Sequence, residues 1–186
     1  MGPMSFISGI LLLCGALPAQ SLRQVDIVVY GGTASGAMAA IAARQQNASV
    51  LLLEPGRHIG GMVSGGLGKT DMARQEQVIG GMARQFFERV GKHYGQDIAW
   101  TFEPHVAEAT FNDWLKEVGV EVVFGQPLLS IEKNGSSIAR LKTANGEVAA
   151  RIFVDCSYEG DLMKAAGVSY VVGREGRDKY GESLAG

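Results

Sequence analysis

Between two apolar stretches the chain reads Gly31-Gly32-Thr33-Ala34-Ser35-Gly36, a run that can hold a diphosphate if it joins a strand to a helix. In a Gly-x-Gly-x-x-Gly turn the first glycine permits the tight bend. The second lets backbone approach a pyrophosphate, and the third lets helix and strand pack closely. The free N–H groups and the dipole at the helix start then stabilise the phosphate charge. Here Gly31 and Gly36 take the first and third places, and Thr33 stands in the second. A side chain at that point narrows the approach, so either the phosphate is held differently or Thr33 turns away and offers its hydroxyl. On its own the turn is weak evidence, with a glycine-rich bend that binds nothing as the alternative. Glu54 supplies the second half of the pattern. It lies 23 residues beyond Gly31 and closes the apolar run 49–53, where an acid accepts hydrogen bonds from both hydroxyls of an adenosine ribose and disfavours a 2′-phosphate. Alone, Glu54 reads as a solvated strand-end carboxylate. The conjunction points to an unphosphorylated adenine dinucleotide.

Other reactive side chains offer less. His58, His93 and His105 lack the paired spacing of a metal site, so no metal is expected. Cys156 has no cysteine partner at motif spacing and reads as a small packing residue rather than a redox thiol. The Phe86-Phe87 pair and Trp114 read as core.

To bring Gly31 and Glu54 together, the flanking elements must form a βαβ unit, and they do. Residues 25–30 (VDIVVY) are nearly all apolar and β-branched, as in a parallel strand buried on both faces. Residues 37–46 (AMAAIAARQQ) are small enough for a helix to lie close against a sheet, with Asn47 suited to the left-handed position after its end. Residues 49–53 form the second strand. The segment 58–71 carries Gly60, Gly61, Gly65, Gly66 and Gly68 and is expected as an ordered loop. Met82, Phe86 and Val90 recur at four-residue steps beside Ala83 and Phe87, predicting an amphipathic helix that ends near 91–95. A further helix is predicted over 105–118, with Ala107, Phe111, Trp114, Leu115 and Val118 inward and Gly119 at its stop. A third strand follows at 120–124. Before the next parallel candidate, 151–156 (RIFVDC), a simple nicotinamide-type domain would cross over with a helix. The sequence instead reads strand 128–133, Asn134-Gly135, strand 138–143, Asn145-Gly146, and a strand from Val148. Asn-Gly between alternating segments is a hairpin signal, so a three-stranded β-meander is predicted. There is no internal repeat and no low-complexity segment.

The whole chain has 186 residues, 46% hydrophobic and 19% charged, enough for one sizeable core in a folded soluble domain. Its 26 glycines are about twice the usual ~7% share. With 17 Lys and Arg against 19 Asp and Glu, the net charge is −2. That lacks the basic excess of a phosphate-neutralising nucleic-acid binder, and no nucleic-acid partner is expected. Residues 6–13 (FISGILLL) form an apolar run far below the ~20 residues needed to span a bilayer, followed by small residues and a cleavage point behind Ala19. We expect a signal peptide over 1–19 and a secreted or periplasmic location. A cytoplasmic protein with an unprocessed leader is the alternative, since no Lys or Arg precedes the run and no twin-Arg pair is present. Bulky Leu13 before Cys14 argues against lipidation, so no stable membrane anchor is expected. Removal of the leader takes Cys14 with it, and Cys156 alone cannot form an internal disulfide.

The run 25–36, with Leu53-Glu54-Pro55-Gly56-Arg57-His58-Ile59-Gly60-Gly61-Met62-Val63-Ser64-Gly65-Gly66-Leu67-Gly68, resembles bacterial FAD-dependent oxidoreductases of the glutathione-reductase-like superfamily. Further matches are Ile79-Gly80-Gly81, Phe86-Phe87-Glu88-Arg89-Val90, Phe102-Glu103-Pro104-His105-Val106-Ala107-Glu108 and Tyr158-Glu159-Gly160-Asp161-Leu162-Met163. The resemblance covers nearly everything after the leader. It implies an α/β fold, a Rossmann-like FAD-binding domain over 20–186 with a parallel sheet and the three-stranded β-meander as crossover.

Carried over by position, the resemblance implies that Gly31, Gly32, Ala34, Ser35 and Gly36 line the pyrophosphate. Glu54 would take the adenosine ribose with Arg57 close by. Gly60 and Gly61 would wrap the middle of FAD, and Met62, Val63 and Ser64 would approach the ribitol and flavin ring. Leu128 would present backbone to adenine. Cys156-Ser157 replaces the Ala-Thr usual in relatives, a conservative change in size that is compatible with adenine packing there. Asp161 is a candidate cofactor contact or a helix N-cap. His58 could approach the flavin or carry a covalent bond to it, with a hydrogen-bonded loop histidine as the simpler reading. The implied activity is an oxidoreductase whose flavin accepts a hydride from an organic small molecule. Neither the substrate nor a catalytic residue is assigned, and no oligomeric state follows. Relatives continue further, with a substrate domain and a final parallel strand, so this chain is expected to be an incomplete N-terminal portion. Two rivals stand beside this reading: an NAD-dependent dehydrogenase built on the same turn, and a truncated, non-catalytic FAD-binding-like module.

Overall fold

The computed structural model describes residues 22–69 and 75–184, so the expected leader lies outside the described residues. Six strands form one sheet in the order β3-β2-β1-β6-β5-β4. These are β1 (Arg23–Tyr30), β2 (Val50–Leu53), β3 (Glu121–Val123), β4 (Leu128–Asn134), β5 (Ser137–Thr143) and β6 (Gly146–Asp155). The helices are α1 (Ala34–Gln45), α2 (Gly81–His93), α3 (Pro104–Val118), α4 (Asp161–Ala165) and α5 (Arg177–Tyr180). β3, β2, β1 and β6 run parallel, while β5 and β4 continue the sheet antiparallel.

Side chains alternate across the central strands, and the two faces bury different partners. Val29, Val50 and Leu52 face the helices, where Ala37, Ala40 and Ile41 of α1 pack close because its buried positions Gly36, Ala37 and Ala40 carry nothing larger than a methyl group. Phe86 and Val90 of α2 and Phe111, Trp114 and Leu115 of α3 complete that cluster. Phe86 stacks on Phe111 with ring centroids 4.5 Å apart, and the Arg89 guanidinium lies over Trp114 at 4.4 Å. On the other face Val28, Tyr30, Leu51 and Leu53 meet Leu141, Val148 and Leu162.

The crossover differs from the sequence expectation in one respect. The third meander strand and the fourth parallel strand are a single ten-residue strand, β6. Its start pairs antiparallel with β5, from Thr143↔Gly146 to Arg140↔Ala149, while the same strand pairs parallel with β1 from Arg23↔Val148 to Tyr30↔Asp155. Beyond Ala149, β6 therefore has a partner on one side only among the described residues, and Ile152 there is exposed. The hairpin turns also sit one residue away from the predicted Asn-Gly centres. Asn134 pairs with Ser137, so Gly135 and Ser136 form the first loop, with Gly135 at φ +61° as a primed turn requires. In the second, Ala144 and Asn145 form the loop and Gly146 closes it. Asn47 follows α1 at φ +63° and Gly119 follows α3 at +76°, both as expected.

Candidate cofactor site

The carboxyl ends of β1, β2 and β6 meet at one edge of the sheet, beside the point where the order passes from the β1–β2 side to β6. Open α/β sheets bind ligands at that kind of crevice. The ladder continues past the strands: Gly31 N–H donates to Leu53 O at 2.8 Å, and Cys156 N–H donates to Tyr30 O at 2.8 Å. Gly31, at φ +97°, lies so close to the next strand end that a Cβ would stand 2.7 Å from the Cys156 carbonyl carbon and the Ser157 nitrogen. Gly36 is tighter still, since a Cβ there would lie 1.9 Å from Gly31 O. The first and third glycines of the motif are thus fixed by packing.

Thr33 turns inward. It is buried as the N-cap of α1, its hydroxyl donates to Cys156 O at 2.8 Å, and it accepts from Gly36 N–H at 3.2 Å. The Ser35 hydroxyl lies 2.9 Å from it. The side chain that interrupts the glycine pattern therefore caps the helix, ties it to the residue that follows β6, and is itself turned away from the outer side of the turn. Ala34 and Ser35 open α1, where an amide finds no carbonyl within the helix.

Glu54 points at the turn. Its Oε2 accepts from Gly32 N–H at 2.5 Å and its Oε1 accepts from Gly56 N–H at 2.6 Å. Two amides hold the carboxylate beside the glycine turn while each oxygen keeps capacity for a further donor such as a hydroxyl. Arg57 stands on the exposed rim with His58. His58 Nδ1 lies 2.9 Å from Glu108 Oε1, the hydrogen-bonded loop histidine among the alternatives above.

The glycine loop is clipped onto the turn. Gly60 N–H donates to Gly32 O at 2.7 Å, and Glu108 accepts from Ile59 N–H at 3.3 Å. The Ser64 hydroxyl bonds back to Ile59 O and to Gly61 O, so it braces the loop from within. Gly61 and Met62 form the outer lip, and Val63 packs towards the helices.

Leu128 N–H donates to the Tyr30 hydroxyl at 2.9 Å, which fixes the start of β4 over the end of β1. Burial pushes the Tyr30 hydroxyl pKa above its ordinary range, so Tyr30 remains a neutral pin. Cys156 is half-buried with its thiol pKa also raised by burial, against a hydrogen bond from Ser35; it is protonated and weakly nucleophilic at neutral pH. Ser157 donates from its N–H and hydroxyl to Asp155 Oδ1 at 2.9 and 2.7 Å. Asp155 Oδ2 accepts from Met163 N–H at 2.7 Å, and Ser157 Oγ accepts from Asp161 N–H at 2.8 Å. Gly160 is the α4 N-cap and Asp161 lies in the first turn, so the capping alternative for Asp161 is replaced by a place on the site wall. Sequence reasoning missed Tyr30, Asp155 and Tyr158. Their available signals were a polar tip on a buried strand, an acid closing β6, and a tyrosine directly after Ser157.

Three hollows follow one another along this edge. One of about 420 Å³ lies between Tyr30, Pro55, Pro127, Leu128, Lys164 and Asp161. A trough of about 310 Å³ runs over Gly31, Thr33, Glu54, Gly61, Tyr158 and Asp161. A third, about 270 Å³ and almost wholly apolar, lies under Ala34, Ser35, Met38, Val63, Phe86 and Phe87. Glycine cradle, amide-held acid and two hollows of mixed lining beside an apolar one fit an extended adenine dinucleotide. Among the described residues, no three His, Cys, Asp or Glu gather as metal ligands, and no helix is long and apolar enough to cross a membrane.

Comparison with solved structures places the fold. L-proline dehydrogenase from P. horikoshii matches with a TM-score of 0.60 at 15% identity, over 83% of this chain and 59% of that one. OxyS anhydrotetracycline hydroxylase from Streptomyces rimosus matches with 0.60 at 18%, over 83% and 36%. L-amino acid deaminase from Proteus vulgaris matches with 0.56 at 18%, over 89% and 53%. The chain spans less than two thirds of each. Comparison of the sequence with curated proteins finds no significant match. A family model described as FAD dependent oxidoreductase matches residues 26–185, and on that match, over the same turn, loop and strand ends that build the crevice, the chain belongs to the FAD-dependent oxidoreductases.

Proposed function

We propose that this chain is the FAD-holding part of an oxidoreductase acting on an organic small molecule. The observation that carries the reading is Glu54, held by the Gly32 and Gly56 amides beside the diphosphate turn. The Ala34 and Ser35 amides and the α1 dipole would face the diphosphate. Glu54 would take the adenosine ribose, and the hollow beside Tyr30 and Leu128 the adenine. Gly60, Gly61 and Met62 would border the ribitol, and the apolar hollow at Val63 and Phe87 the flavin end. When bound, the flavin supplies the hydride-accepting chemistry, while the chain positions it and shields it from water.

An NAD-dependent dehydrogenase calls for a helix between β3 and β6, where this chain has β4 and β5. The one-sided edge of β6 beyond Ala149 and exposed Ile152 support the reading that a further strand completes the domain. A truncated, non-catalytic module shares these features, and turnover distinguishes it. We further propose that residues 1–19 direct export; fractionation of cells expressing the chain with and without them tests this. The cofactor reading is tested by purifying the chain, recording its visible spectrum and identifying the nucleotide released on denaturation. A flavin spectrum with FAD released is the expected result. A colourless protein that takes up NAD but not FAD overturns it.

A further inference from the structure

We propose that Tyr158 is the clasp of the cofactor trough, a positioning residue that closes over the bound dinucleotide and opens to let it in and out. This rests on the reading that the trough holds FAD.

Tyr158 follows β6 and belongs to the wall formed by Ser157, Glu159 and Asp161. The opposite lip is Gly61 and Met62, nearly a hundred residues earlier. The Tyr158 hydroxyl accepts a hydrogen bond from Met62 N–H at 2.6 Å. Its ring lies against Gly61 so closely that a Cβ on that residue would stand 2.1 Å from the hydroxyl and 2.9 Å from the ring carbon bearing it. A glycine at 61 therefore leaves the space the tyrosine occupies. The side chain thus joins the two lips of a trough whose lining includes Gly31 and Thr33.

The clasp is built to move. Tyr158 is 57% exposed and Met62 54%, so neither end is anchored in the core. The lips themselves are fixed: Ser157 by Asp155, and the glycine loop by Gly32 and Glu108. One exposed hydrogen bond joins the two braced walls. On the proposed reading, a dinucleotide laid from Glu54 towards Val63 has to pass this link.

The experiment measures FAD association and dissociation by flavin fluorescence for wild type, Tyr158→Phe and Tyr158→Ala, with thermal unfolding of each apoprotein alongside. Loss of the hydroxyl frees the clasp, so in Tyr158→Phe both rate constants should rise about threefold to tenfold, the span of one net hydrogen bond. The equilibrium constant should stay within about twofold and the melting temperature close to wild type. Tyr158→Ala should be faster still in both directions. Rates within about twofold of wild type overturn the clasp. So does a faster dissociation with unchanged association, which makes Tyr158 an ordinary contact. A wild-type chain that takes up no FAD overturns the cofactor reading and the clasp together, whereas a wild type that binds while Tyr158→Phe is unaltered overturns the clasp alone.

Discussion

Replacing Thr33 by glycine restores the second glycine of the phosphate-turn pattern, and it should weaken the protein without tightening the cofactor. The Thr33 hydroxyl donates to Cys156 O at 2.8 Å and accepts from Gly36 N–H at 3.2 Å, and the residue is 7% exposed. Each hydrogen bond is worth about 1 kcal/mol net, and burial of the methyl group about 0.8 kcal/mol. Thr33→Gly should therefore cost about 2–3 kcal/mol. At ~2–4 °C per kcal/mol for a chain of this size, Tm falls by about 5–10 °C. Thr33→Ser keeps both hydrogen bonds and should lose only the methyl contribution. The assay is thermal unfolding followed by circular dichroism, paired with an FAD titration of all three proteins. Because the side chain faces inward, its removal uncovers no new amide, and FAD should bind Thr33→Gly no more tightly than wild type. A Thr33→Gly protein as stable as wild type, or one that binds FAD tenfold more tightly, would refute the reasoning and put the threonine side chain in the diphosphate's path.

Three further outcomes are expected. Gly36→Ala places a Cβ 1.9 Å from Gly31 O; relieving that overlap moves α1 off the turn at a cost of about 1–3 kcal/mol or more, so titration should show FAD affinity down at least about tenfold, and unchanged affinity contradicts the cradle. Glu54→Gln puts an NH₂ against Gly32 or Gly56 N–H, which both donate to the carboxylate; losing one charge-assisted bond of about 1.5–3 kcal/mol should weaken FAD about tenfold to a hundredfold by the same titration. At the opposite end of the sheet, hydrogen bonds from Ser49, then Arg151, hold the Asp26 pKa below its ordinary 3.8. Its charged form therefore favours the folded state above the unfolded pKa, and that contribution fades as pH falls through the lower folded value. Denaturant melts should show wild type above Asp26→Asn at neutral pH and the gap closing below about pH 4; a gap that stays constant would rule the linkage out.

The βαβ unit was legible because each element announces itself locally. Residues 25–30 and 49–53 are apolar without alternation, as strands covered on both faces must be, and the small residues of α1 allow its close approach. The same locality failed at β6. Glu147 and Arg151 break its apolar run, so one strand with different partners at its two ends reads as two. The turns slipped by one residue because only Gly135 and Gly146 adopt positive φ there, and the paired asparagines do not. At the site, Gly31, Gly36 and Glu54 were read from spacing, whereas Gly32, Gly60 and Gly61 came in only through the family resemblance. The direction of Thr33 could be posed from sequence but is decided by a carbonyl at Cys156. Tyr30, Asp155 and Tyr158 were missed because Leu128 and Met62, which give the tyrosines their roles, are 98 and 96 residues away, and because the partners of Asp155 depend on how the chain turns after β6.

A structure of the chain with FAD bound bears most directly on the central claim, that the start of α1 cradles a diphosphate beside Glu54. Diphosphate oxygens within hydrogen-bond reach of the Ala34 or Ser35 amides, with the adenosine ribose hydroxyls on Glu54, are the predicted result. A dinucleotide seated elsewhere on the sheet, or one whose ribose leaves Glu54 untouched, would contradict it.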